Sequence, residues 1–215
     1  MAMRSCIADI SKQVRSLLMI SLPVWISSLL FALIHSLFAA EWCKTLFYQY
    51  GMAPHRYRLL YSLFAVVLTS LWLFYIYQLP DTPLYQVKGW PSVLLLVIQL
   101  SGLWVVLLSL KSFDTALFLG IKPMTGGREP FHEYGIYHHI RHPMYSGFIL
   151  ILFASPVQGV NSLNLAIAVA LYFLIGSRFE ERRMLLMHPE YANYQKRVPA
   201  FVPWRALFRG PRGPQ

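Results

Sequence analysis

Two polar clusters interrupt an otherwise apolar chain. The first is Gly135-Ile136-Tyr137-His138-His139-Ile140-Arg141-His142-Pro143-Met144-Tyr145-Ser146-Gly147, which runs directly into an apolar stretch. The second is Arg178-Phe179-Glu180-Glu181-Arg182-Arg183, followed by Glu190-Tyr191-Ala192-Asn193-Tyr194. Pro143 has no backbone N–H and suits the first turn of a helix. It also biases His142 toward extended backbone. Arg141 and His142 therefore fall just outside a helix N-terminus, where unpaired N–H groups and the positive end of the dipole receive an anion such as a carboxylate. Arg141 adds a bidentate donor for the same group. Gly147, one turn in, lets something approach the helix closely. Tyr137 and Tyr145 offer apolar faces with polar tips. Opposite them, Glu180 and Glu181 would hold an ammonium group or ribose hydroxyls. A ligand that joins an amino acid to a nucleoside satisfies both clusters.

Each feature also has a plainer reading. Basic residues at the end of a membrane span commonly anchor it among headgroups. Acidic residues among Arg178, Arg182 and Arg183 form surface ion pairs of little energetic consequence. What favours a site is the apolar hairpin between the clusters, which returns the second to the side of the first. His138, His139 and His142 make a His-His-x-x-His run, but no fourth ligand and no His-Glu-x-x-His pattern accompany it, so no metal is assigned. His35 and Ser36 lie deep in the first apolar stretch. An ionisable residue there is a functional candidate by default, and a neutral histidine hydrogen-bonded between helices is its structural counterpart. Asp114 either caps a helix or lines the pocket. His35 and Asp114 are carried as substrate-binding candidates.

The elements that must position these residues follow from hydropathy. The chain has 215 residues, 56% of them hydrophobic and 13% charged, with a mean hydropathy of +0.47. Soluble domains are nearer a quarter charged, so this is an integral membrane protein, with the lipid bilayer as its first partner. The net charge of +10 reflects the positive-inside bias of loops rather than nucleic-acid binding. Cys6 and Cys43 provide no metal spacing and no disulfide framework.

Apolar segments at about Leu17–Ala40, Leu59–Leu79 and Trp90–Leu110 each reach the ~20 residues that cross a bilayer. The first exceeds the ~7–15 apolar residues of a secretory leader and is read as a retained span. The fourth region, Met144 to Ile175, is broken by Ser155-Pro156-Val157-Gln158-Gly159-Val160-Asn161-Ser162, a turn signal. It predicts a hairpin of two short helices, each arm about 12–15 residues or ~20 Å. The expected fold is all-α and integral to the membrane, with about five transmembrane helices: three full spans, a short helical hairpin, and then a cytosolic C-terminal helix. On this topology 15 of the 19 basic residues share one face, which puts the C-terminus in the cytoplasm. The basic N-terminal tail, Arg4, Lys12 and Arg15, sits awkwardly with this unless it is an interfacial segment. The expected organisation is a single domain, with spans and loops over 1–134, a ligand-binding half over 135–203 and a flexible tail over 204–215. No internal repeat of the kind common in transporters is visible.

Gly-x-Tyr-x-x-x-Arg-His-Pro-x-Tyr-x-Gly over Gly135–Gly147, with Glu180-Glu181 and Glu190-Tyr191-x-x-Tyr194-x-x-x-Val198-Pro199-x-x-x-Pro203, resembles the C-terminal half of the isoprenylcysteine carboxyl methyltransferase-like membrane enzymes. Ile34-His35-Ser36-Leu37, Tyr57-Arg58-Leu59-Leu60-Tyr61 and Phe113-Asp114 make it most similar to the bacterial branch that includes methanethiol S-methyltransferase and denitrification-associated membrane proteins. The resemblance implies S-adenosylmethionine as methyl donor and a small or lipophilic acceptor, methanethiol foremost, in a bacterial inner membrane. A prenylcysteine carboxylate and a phospholipid amine are the alternative acceptors. Tyr137, Arg141, His142, Pro143, Tyr145 and Gly147 would frame one side of the donor, and Glu180 and Glu181 the other. His142, Tyr145 and Glu181 are the implied catalytic residues, and Tyr191 and Tyr194 would brace a closing helix. The chain departs from the pattern in having His188-Pro189 where glycine is usual. A sterol reductase-like enzyme shares part of the motif but needs more spans, and a non-enzymatic accessory protein is the remaining alternative.

Overall fold

In the computed structural model, which describes residues 2–123, 131 and 133–204, the chain is a helical membrane bundle. Helix α1 (Ala2–Ala39) is followed by a short α2 (Glu41–Gln49), α3 (Pro54–Gln78), strand β1 (Pro83–Gln86), α4 (Trp90–Lys111) and the single turn α5 (Thr115–Phe118). A 3₁₀ turn (Gly135–His138) leads to α6 (Pro143–Phe153), strand β2 (Val157–Gly159), α7 (Val160–Met187) and α8 (Tyr191–Arg197). Four helices are long and apolar enough to cross a bilayer: α1 from Leu17, α3, α4 and α7. The three expected spans are present within a few residues. The tail ahead of Leu17 continues α1 without a break. Residues 205–215, most of the expected flexible tail, lie outside the described residues.

The hairpin is unequal, which corrects the expectation of two short arms. Helix α6 has 11 residues, or ~16 Å at 1.5 Å per residue. Helix α7 has 28 and runs on through the second polar cluster. Arginine and glutamate are good helix formers, so nothing stops α7 before His188, whose backbone is extended (φ −134°, ψ 91°) ahead of Pro189, as proline requires.

The expected turn between α6 and α7 is present and contains a short strand. β2 pairs antiparallel with β1 from the connection between α3 and α4, Pro83 opposite Gly159 and Gln86 opposite Val157. This satisfies backbone groups that a membrane setting penalises heavily when left unpaired. Asp81 accepts from the Thr82 and Asn161 backbone N–H groups at 2.8 and 2.9 Å. A Cβ on Gly159 would lie 2.1 Å from the Asp81 carboxylate, so only glycine fits.

α4 and α6 pack closely. A Cβ on Gly102 would sit 2.7 Å from the Gly147 carbonyl, and one on Gly147 would sit 2.6 Å from the Gly102 carbonyl. Small residues at such crossings let membrane helices approach backbone to backbone. Gln99 also donates to the Ile151 carbonyl at 2.8 Å, one of the last carbonyls of α6, which lack an intrahelical partner. With Gly147 fixed beside Gly102 in the middle of α4, the N-terminus of short α6 lies below the membrane face where α4 ends.

Candidate functional site

The 3₁₀ turn opens on Gly135 at φ +64°, a left-handed conformation that glycine adopts without strain. Tyr137 then projects inward, and its hydroxyl shares a 2.8 Å hydrogen bond with Ser109 of α4. Burial pushes the Tyr137 phenol above its ordinary pKa, and the charge of Glu180 adds to this, against the Ser109 hydrogen bond. The phenol therefore stays neutral. Pro143 occupies the first turn of α6, and His142 precedes it outside the helix at φ −122° and ψ 61°, short of the extended backbone expected ahead of proline.

Arg141 and Glu181 are bonded to the protein itself. Arg141 Nε donates to Glu181 Oε1 at 2.8 Å, with the two side chains only 11% and 6% exposed. The same guanidinium donates to the Gln195 carbonyl at 2.9 Å and to the Val198 carbonyl, closing the C-terminal end of α8 as a cation does best. Glu181 also pairs with His142 Nε2 at 3.0 Å and accepts from Gln195 at 2.8 Å. The Arg141 and His142 backbone N–H groups donate to the Pro199 and Ala200 carbonyls, both at 2.9 Å. The segment after α8 is thereby tied along the front of α6, with the Phe201 ring stacked on His142. Tyr191, Tyr194 and Val198 form a buried cluster with Phe131 and Met184, and Tyr194 donates to the Tyr137 carbonyl at 2.6 Å.

In front of this scaffold is a cavity of about 560 Å³ lined by Tyr137, Arg141, His142, Pro143, Tyr145 and Glu180 among the expected residues. Asp114 lines it too, and also caps α5 by accepting from the Ala116 and Leu117 backbone N–H groups. The Leu117 hydrogen bond, with the Lys122 ammonium, holds the Asp114 carboxyl below its ordinary pKa and hence ionised. Glu180 accepts from the Tyr145 hydroxyl at 3.1 Å and lies 3.7 Å from His142 Nδ1. The Tyr145 ring is stacked between His142 and Phe173.

Three candidates lie elsewhere. Glu181 is behind the wall, held by Arg141 and His142. Gly147 faces α4. His35 is in a separate chamber, bonded to Tyr172 at 2.8 Å and to Tyr61 at 3.1 Å. Conversely Arg58, Arg183 and Phe131 line the cavity without having been singled out as site residues. Arg58 carried a signal in its place in the Tyr57–Tyr61 motif and Arg183 in its place in the second polar cluster, whereas Phe131 carried none.

The cavity thus carries cations from α3 and α7, carboxylates from the α5 cap and α7, and a helix N-terminus on one wall. A membrane bundle with such a site is a polytopic membrane protein with a cavity of opposed charges at one end of its helices. Residues 24–151 match the family model described as NnrU protein; the match covers more than half of the chain, which belongs to that family. The chain is also similar to methanethiol S-methyltransferase 1 of Bradyrhizobium diazoefficiens, 31% identical over 185 residues that cover 82% of this chain and 64% of that protein. Methanethiol S-methyltransferase of Pseudomonas deceptionensis is 29% identical over 191 residues, covering 85% and 71%. That of Mycobacterium tuberculosis is 32% identical over 82 residues, covering 35% and 34%. No solved structure matches the chain.

Proposed function

We propose that the protein is an S-adenosylmethionine-dependent membrane methyltransferase that S-methylates a small or lipophilic thiol such as methanethiol. The observation that carries this is the opposed charge of one cavity: Arg58 and the α6 N-terminus against Glu180 and Asp114. The named relatives supply the thiol. The residues fit the donor: the helix N-terminus and Arg58 suit its carboxylate, Glu180 and Asp114 its ammonium or ribose hydroxyls, and Phe131 and Tyr137 its purine. Bound there, S-adenosylmethionine would supply an already activated methyl group on a sulfonium. The protein's part is then positioning and exclusion of water. Tyr145 orients Glu180, and Arg141 with Glu181 holds His142 and the segment after α8 as the wall.

Methyl transfer from isotopically labelled S-adenosylmethionine, using membranes containing the protein, tests the proposal. Label in volatile sulfide when methanethiol is added supports it. Label in a base-labile ester of farnesylated cysteine would move the acceptor to a carboxylate, and failure of the purified protein to bind labelled donor would overturn the enzyme reading. Tyr145→Phe keeps the stacked ring and removes the hydroxyl that orients Glu180. It should raise the KM for donor about tenfold, the size of one lost hydrogen bond to a charged group.

A further inference from the structure

A second cavity, of about 550 Å³, lies within the bilayer span between α1, α3, α6 and α7. Tyr145 lines both cavities. Its ring stacks on Phe173 with centroids 4.5 Å apart, and Phe173 is followed by Tyr172 at 6.4 Å. The wall continues to His35 and Phe31, and Phe31 stacks on Trp72 at 4.2 Å. The lining is almost wholly apolar, and Leu29, Leu73 and Ile175 at its rim are exposed on helix faces that meet lipid. The chamber is open to hydrocarbon.

The one imidazole among the described residues of this lining is His35. His35 Nδ1 is 2.8 Å from the Tyr172 hydroxyl, and Nε2 is 3.1 Å from the Tyr61 hydroxyl. Ser36 adds a 3.3 Å contact to Tyr172. The titratable groups facing His35 are thus Tyr61 from α3 and Tyr172 from α7. Phenols are neutral at physiological pH, so His35 is the one group of this cluster with the basicity to accept a proton there. The chamber is also much larger than methanethiol requires. Two heavy atoms at about 30 Å³ each, the share of a water molecule in the liquid, occupy only about a tenth of it.

Resting on the methyltransferase reading, we infer that this chamber receives the methyl acceptor, an apolar thiol of several carbons drawn from the bilayer, and that His35 takes the thiol proton. In that step the S–H bond breaks with its proton passing to the imidazole. The thiolate sulfur forms a bond to the donor methyl as the methyl–sulfonium bond breaks. The sulfonium charge is exchanged for an imidazolium charge, and a neutral thioether and S-adenosylhomocysteine are left. The thiolate is the nucleophile, and the acceptor reaches the donor past Tyr145.

A series of alkanethiols from methanethiol to hexanethiol tests this. kcat/KM should rise about fourfold per methylene as apolar surface is buried. A Cβ at Gly176, which lines the chamber, would meet nothing within 4 Å, so Gly176→Phe grows into open space. It should cut kcat/KM for hexanethiol at least tenfold more than for methanethiol. It should also weaken equilibrium binding of labelled hexanethiol in the presence of S-adenosylhomocysteine, while binding of labelled S-adenosylmethionine stays within twofold. A length dependence that Gly176→Phe leaves unchanged reflects partition into the bilayer and overturns the chamber. His35→Gln keeps hydrogen bonding without basicity. It should lower kcat about 10²-fold or more and remove one step from the pH–rate profile, with hexanethiol binding retained. An unaltered profile overturns the role of His35. A wild-type protein that binds no donor overturns the methyltransferase reading together with this one, whereas donor binding with normal kinetics in both variants overturns this one alone.

Discussion

At the residue scale, neighbouring carboxylates have been given different work. Glu180 is 43% exposed and reaches the cavity through the Tyr145 hydroxyl, whereas Glu181 is 6% exposed and accepts from Arg141, His142 and Gln195. Successive helical residues are turned by about 100°, so α7 presents one to the cavity and the other to α8. Removing one partner of a buried ion pair leaves an uncompensated charge at a cost of about 3–5 kcal/mol. Glu181→Ala should therefore lower the thermal unfolding midpoint of the detergent-purified protein markedly. Glu180→Ala should leave the midpoint nearly unchanged and weaken donor binding instead. Equal destabilisation by the two would contradict this division. The adjacent pair was evident in the sequence, and its division was not, because both residues sit in the same local pattern.

At the element scale, short α6 controls the depth of the site. Its length, its proline start and its ending near Pro156 all follow from local sequence signals, as do the three spans ahead of it. That α7 continues through the charged cluster also follows from helix propensity, although the apolar run ends at Ile175. The Gly102–Gly147 crossing is what fixes α6 against α4. Gly147→Leu would force atoms into the Gly102 carbonyl and Val106, both 2.6 Å from its Cβ. Overpacking of this kind costs about 1–3 kcal/mol, and it should shift the helices apart and reduce donor binding. Gly176→Leu, at a position with open space, should leave the unfolding midpoint within a degree or two. Thermal unfolding of the two variants side by side distinguishes helix packing from a general intolerance of larger residues. The motif glycine was read as room for a ligand, and what occupies that room is a second helix.

At the scale of the whole molecule, the arrangement separates a polar cavity at one face from an apolar chamber within the membrane, with Tyr145 between them. Arg58, Arg141 and Arg183 line the polar cavity, and Lys122 pairs with Asp114 on its wall. The positive-inside rule then predicts that this face is cytoplasmic. A fluorescent protein fused at the C-terminus should fluoresce, and an alkaline phosphatase fused there should be inactive. A phosphatase placed in the connection between β1 and α4, near Lys88, should be active. The reverse pattern would put the site on the outer side, away from a cytosolic supply of methyl donor.

The sequence by itself determined the membrane class, the first three spans, the break before α7, the Pro143 helix start and the identity of the two polar clusters. Each rests on hydropathy or on backbone sterics acting within a few residues. Only the tertiary structure decided what each candidate side chain touches. Arg141 turned to the carbonyls of α8, Glu181 to Arg141 and His142, Gly147 to α4, and His35 to tyrosines 26 and 137 residues away in the chain. Burial sets these choices: in a low-dielectric interior every charge and every free carbonyl must find a partner, and the partners come from elements distant in the chain.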